Sequence, residues 1–277
     1  MKKTMVKIHE VWLEMLMAGF MSNTRNREVL LDFSDILFRH FTWVEHALIL
    51  SGVSYTYDRE AIPVKVDKLS DLLHDIMQRL STIKVEVLHF DDKELSGRIM
   101  SDIEYIISVL ASMEDEVVTA FNMQRKLSDI SLTQEATDAL TLFLFEETYK
   151  EYELILIYNY LKAHSNNAYM NRIFQILIDE SFYHLKRFGD MGAQMGILGV
   201  PRTVMKELYQ VTDIVQFLEE GINEELAAKE ECKKLSDAVS KDSTELAKFF
   251  DFINYQENYH IALMKDALKY YKRENNE

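Results

Sequence analysis

Six side chains in the C-terminal half of the chain have the types and spacing to hold metal ions. Glu257 and His260 stand three apart on a helical face that also carries Phe250, Ile253, Ile261, Met264 and Leu268. Glu180 and His184 stand four apart, beside Ile173, Ile176 and Leu177. Glu147 interrupts the stripe Leu140, Phe143, Leu144, Leu154 and Tyr158, and Glu224 interrupts the stripe Ile214, Phe217, Gly221 and Ala228. A carboxylate on an apolar face needs a partner, because burying it alone costs several kcal/mol. Four such acids meeting at one level repel one another strongly unless cations neutralise them. Two divalent ions bridged by carboxylates do that. An oxygen-rich set with one imidazole for each ion and no thiolate suits iron or manganese.

Equal arm lengths bring the six residues together. Thirty-three residues separate Glu147 from Glu180, and thirty-three separate Glu224 from Glu257. Two helical hairpins of that length set each pair of acids at one height. The metal-free alternative satisfies the acids with Lys, Arg or Tyr. Between Glu147 and Glu180, however, Lys150, Lys162 and Arg172 all lie off the Glu147 stripe. Glu151 lies on that stripe, placed to accept from an imidazole N–H. Glu146, Glu220 and Glu225 fall off the stripes and are expected in solvent. Tyr149, Tyr152, Tyr183, Tyr255 and Tyr259 surround the six residues, as core aromatics with rim hydroxyls or as carriers of an oxidising equivalent.

The elements that position these residues are all helical. Two prolines and 8 glycines in 277 residues, with 48% hydrophobic residues, describe a chain of long helices and an ample core. The pattern predicts eight of them, over about 4–20, 26–50, 63–89, 92–126, 134–163, 168–191, 201–238 and 242 onward, with Pro63 and Pro201 in first turns and no strand. Ser128 to Thr133 reads as a polar hinge, which divides the chain into domains at 1–130 and 131–277. The halves look like copies. Asp75-Ile76-Met77-Gln78 matches Asp213-Ile214-Val215-Gln216 at an offset of 138, which also pairs Pro63 with Pro201, His46 with His184 and Glu86 with Glu224. An offset of 141 pairs Glu116 with Glu257, Met123 with Met264 and Leu127 with Leu268. In the first copy Glu10 takes the place of Glu147, but Thr42 and Thr119 stand where Glu180 and His260 should be. That half is expected to be a degenerate unit without metal. Asp71 with His74 and Glu86 with His89 repeat the acid-x-x-His spacing on one helix, where solvated faces explain them.

The six-residue pattern resembles the ferritin-like di-iron and di-manganese carboxylate proteins, in which two helices each give a Glu and two give Glu-x-x-His. The resemblance covers about Gln134 to Lys272 and implies two tandem ferritin-like four-helix bundles related by internal duplication. It makes Glu147 and Glu224 the single-Glu ligands, and Glu180 and Glu257 the bridges. Glu257 with His260 fits the full motif. Glu180 with His184 departs from it by one residue, so either His184 reaches the metal from i+4 or a π-bulge near Ser181 restores the register.

Charge and cysteine bound the function. A formal net charge of -15 disfavours nucleic acid and anionic membrane as partners. The single Cys232 rules out an internal disulfide and a four-cysteine centre within the chain. The N-terminal apolar run is broken by Lys7, His9, Glu10 and Glu14, and no membrane span appears, so cytoplasm is the expected compartment. The function expected from the resemblance is an oxidoreductase that binds dioxygen or a peroxide at two iron ions, with manganese the alternative. It would draw on an external electron donor, or none if manganese catalase-like. A helical scaffold or interaction protein and a metal or oxygen sensor are the other classes. A homodimer through the first half stays open.

Overall fold

The structure, a computed structural model, describes residues 1–119, 127, 130–199 and 201–274. It is all-α, with nine helices among the described residues. These are α1 (Lys2–Met21), α2 (Thr24–Leu50), α3 (Leu69–Val87), α4 (Lys93–Leu110), α5 (Gln134–His164), α6 (Ala168–Gln194), α7 (Lys206–Tyr209), α8 (Ile214–Val239) and α9 (Thr244–Glu274). Two short strands, β1 (Asp67–Lys68) and β2 (Val117–Val118), pair antiparallel. No helix among the described residues is long and apolar enough to cross a membrane.

The chain forms two compact units, one of Met1–Phe121 with Leu198–Lys206, the other of Asn122–Ile197 with Glu207–Glu277. In the first, α1 packs on α2 and α3, and α4 closes the group against α3 and α2. In the second, α5 packs along α6 and α8 along α9, with thinner contacts between α5 and α8 and between α6 and α9.

Three expected helices are shorter than their patterns. The third begins at Leu69 rather than Pro63, because the chain has no regular secondary structure over 53–66 and then pairs as β1. The fourth ends at Leu110 rather than near Lys126. Past it, Val117 and Val118 favour an extended backbone, and Glu116 O accepts from Leu69 N at 2.9 Å beside the β1–β2 pair. Residues 120–126, with Met123, and residues 128–129 of the expected hinge lie outside the described residues. The seventh does not open at Pro201. A short α7 is followed by Asp213, which accepts from Gln216 N at 2.9 Å and caps α8.

Capping fixes the other boundaries of the second unit. Thr133 Oγ1 accepts from Ala136 N at the start of α5, and Asp242 takes both the Thr133 amide (2.7 Å) and hydroxyl (2.8 Å). Asn167 accepts from Tyr169 N and Met170 N at the start of α6. One end of this unit is a dry core of Leu140, Leu144, Phe188, Leu235, Val239 and Phe250, with Phe143 edge-on to both Phe188 and Phe250.

Candidate metal centre

The four long helices of the second unit share a seven-residue rhythm of buried positions. On α5 these are Thr137, Leu144, Glu151 and Tyr158; on α8, Leu218, Cys232 and Val239, with the half-buried Glu225 in the same series; on α9, Phe250, Glu257 and Met264 with Ile253, His260 and Ala267. On α6 they are Met170, Leu177 and His184 with Phe174, Ser181 and Phe188. A seven-residue period keeps one seam of a helix facing its neighbours. Polar groups occupy a single level of it, so Glu151, His184, Glu225, Glu257 and His260 converge just beyond the aromatic core, where His184 stacks on Phe188 at 5.6 Å.

The tightest group is Glu225, Glu257 and His260, whose ligand atoms all lie within 4.8 Å of one another. His260 Nδ1 is 2.9 Å from Glu257 Oε2 and 3.6 Å from Glu225 Oε2. A second pair lies beside it. His184 Nδ1 donates to Glu151 Oε1 at 2.9 Å, and the two imidazole rings are 5.4 Å apart. Glu180 reaches in from α6, with Oε2 3.7 Å from His260 Nε2. Gln256 links the two groups. Its amide nitrogen donates to Glu180 at 3.1 Å and its carbonyl accepts from His184 Nε2 at 3.4 Å.

The pKa shifts show how the buried groups balance charge among themselves. Burial, with the neighbouring Glu225 carboxylate, raises the pKa of Glu257. Burial works against a charged His260, but the carboxylates of Glu225 and Glu257 overcome it and raise its pKa. Burial also opposes charge on His184, and Glu151 outweighs it, pushing the imidazole up to about 9. Glu147 is pushed up to about 7, mainly by burial and against the pull of Lys150. Carboxylates thus favour the protonated forms of both histidines, and burial followed by Glu225 favours that of Glu257. One buried atom of the cluster, His260 Nε2, has no hydrogen-bond partner among the described residues, Glu180 Oε2 lying 3.7 Å away. An unpartnered buried polar atom of this kind costs about 1–3 kcal/mol.

Of the six residues expected from sequence, four meet here: Glu180, His184, Glu257 and His260. Glu147 and Glu224 instead line an adjoining cleft, Glu147 half-buried and Glu224 exposed. Glu151 accepts from His184, as its place on the stripe suggests. Glu225 is not in solvent as expected. Its side chain is 11% exposed and faces His260. The signal that finds it is the seven-residue series 218, 225, 232, 239, whereas Glu224 falls in line with Phe217 and Gly221. No π-turn interrupts α6, so His184 is reached at i+4 from Glu180. Ser181 takes the place on α6 that Glu257 takes on α9.

In the first unit the aligned acids have protein partners. Glu10 accepts from Arg79 (3.2 Å) and Glu60 N (3.1 Å), Glu86 from Thr4 and Lys7, and Glu116 from Asn23 N and Asn26. His46 is exposed.

No family model matches the chain, and no curated protein and no solved structure matches it either.

Proposed function

We propose that the second unit is a carboxylate–histidine metal centre of the ferritin-like kind, acting as an oxidoreductase on dioxygen or a peroxide. The observation that carries this reading is the convergence of Glu225, Glu257 and His260, with the buried His260 Nε2 lacking a hydrogen-bond partner among the described residues. The residues present fit divalent cations. Glu225, Glu257 and His260 would hold one ion. Glu151 and His184 beside them, with Glu180 near His260, are the donors available to a second. Carboxylate and imidazole donors without thiolate favour iron or manganese over zinc or copper(I). When bound, such ions would supply the one-electron steps that protein side chains lack. The chain's own part is electrostatic and geometric. Glu257 and the histidines would give up their protons on binding, Gln256 would space the two halves of the site, and the Phe188 layer would exclude water from one side.

The experiment is elemental analysis of the full chain purified without chelator, followed by anaerobic titration with ferrous and manganous ions. About two ions per chain are expected, falling sharply in Glu225→Gln and in His260→Gln. Sustained turnover of dioxygen or hydrogen peroxide by the loaded protein would mark an enzyme, and a single stoichiometric reaction a sensor. Failure of both ions to bind would overturn the reading and leave a structural polar layer.

A further inference from the structure

A cleft of about 700 Å³ opens beside the candidate centre, between α5 and α8, with Glu257 and His260 in its wall. Dioxygen or a peroxide needs space comparable to a water or two, on the order of 30 Å³ each. The cleft instead falls in the range of about 300–1,000 Å³ that takes organic ligands.

Its lining states what kind of ligand. Leu154, Ile157, Phe217 and Met264 give an apolar wall. Gly221 adds no side chain to it, and a Cβ there would come within 3.1 Å of Met264 Sδ. Charge is one-sided. Asp213, Glu220 and Glu224 are exposed in the lining, and Lys150 is the only Lys or Arg there. Even with two divalent ions on the inner carboxylates the lining keeps a negative surplus, which disfavours an anionic ligand.

A second observation comes from Tyr158. Its side chain is 1% exposed, it lines the cleft, and its hydroxyl has no hydrogen-bond partner among the described residues. Its ring meets Phe217 edge-on at 6.2 Å, so two aromatic rings flank the same space. Aromatic faces attract organic cations, and a hydroxyl oxygen accepts from an ammonium N–H.

We infer that this cleft binds an organic ammonium compound with an aliphatic body. The tail lies on the Leu154–Phe217–Met264 wall, and the ammonium is held by the Tyr158 hydroxyl, the aromatic pair and the acidic lining. The inference rests on the metal-centre reading only for what is done to the amine, not for its binding.

The test is calorimetric titration of the full chain with octylammonium, octanoate and 1-octanol, on chelator-treated protein and on protein given manganese. Octylammonium is expected to saturate a single site in both forms, at least about tenfold tighter than octanoate. Tyr158→Phe keeps the ring and removes the acceptor, and should weaken octylammonium several-fold while leaving octanol unchanged. Glu220→Gln with Glu224→Gln changes only exposed positions and should weaken octylammonium and its salt dependence together. Octanoate binding as well as octylammonium, or no saturable binding of any probe, would overturn the inference. So would affinity unchanged in both variants. Binding abolished by manganese would place the ammonium on the metal-ligand acids and also overturn it. A separate manganese titration tells the two readings apart. Ammonium binding without metal binding leaves the cleft standing and removes the centre, and the reverse removes the cleft alone.

Discussion

Glu224 and Glu225 are chain neighbours in different surroundings, and substitution separates them. Glu225 faces His260, whereas Glu224 is exposed. Glu225→Gln should lower manganous or ferrous affinity by at least about tenfold, while Glu224→Gln should change it by less than about threefold, read by competition with a chelating indicator. Glu257 adds a trade of stability for function. The fold raises its pKa, so the charged carboxylate is disfavoured by the packing around it. A neutral amide of the same shape removes that cost. In chelated protein, Glu257→Gln is expected to stabilise the second unit by on the order of 1 kcal/mol in urea unfolding, while metal affinity falls. These residues differ in how legible they are in sequence. Glu257 with His260 is visible as acid-x-x-His on an apolar face. Glu225 hides because both it and Glu224 sit beside apolar residues, and only the seven-residue phase of α8 tells which one turns inward. Glu180 shows the opposite failure. The motif points to it, but Ser181 holds the fully buried place and Glu180 enters from the edge, its side chain 27% exposed.

At the scale of elements, the polar level is held in register by caps as much as by packing. Asp242, in the link before α9, accepts from both the amide and the hydroxyl of Thr133 at the head of α5. Thr133→Ala removes one of these bonds and the cap on Ala136 N, and should cost about 1 kcal/mol in denaturant unfolding. The starts of the long helices α5, α6 and α9 are readable to within a few residues, because apolar periodicity agrees there with the Thr133, Asn167 and Ser243 caps. The ends of α3 and α4 were not. Pro63 suits a first helical turn, yet it lies in an irregular segment ahead of the β1–β2 pair. That pairing joins residues about fifty apart in sequence, and no local pattern announces it. Helix α8 was misplaced at its start for a related reason: Pro201 invites a helix, but Asp213 is the cap that is used.

At the scale of the molecule, the two units answer to different perturbations. The first carries a buried acid unrelated to the metal centre. Glu14 is 4% exposed, both its oxygens lack hydrogen-bond partners among the described residues, and Arg79 Nε lies 3.2 Å away. Burial pushes its pKa up to about 7, against the pull of Arg79. Since the folded value exceeds the unfolded one, the native state holds the proton more tightly. The stabilisation is complete at pH below about 4.5 and is lost as pH rises through about 7. Glu14→Gln should flatten that decline in the first unit, measured by urea midpoints across pH 4 to 8.

Metal should act on the second unit alone. All of its proposed ligands lie on α5, α6, α8 and α9, and a ligand at about a hundred times its dissociation constant adds about 2.7 kcal/mol to the state that binds it. The stabilisation will not spread evenly. From Ile214 to Glu231, α8 buries only Leu218, and α5 meets α8 across the cleft through thin contacts, so this half-helix is held by little besides its pairing with α9. Such a segment opens locally at a small fraction of the global unfolding cost. An ion held by Glu225 on α8 and by Glu257 and His260 on α9 ties it down at mid-length. Hydrogen exchange read by mass spectrometry should therefore slow most over 214–231 when manganese is added, less over α5, α6 and α9, and not at all over α1 to α4. Equal slowing in both units would mean that the ion binds elsewhere. Slowing confined to α9 would mean that Glu225 is not a ligand.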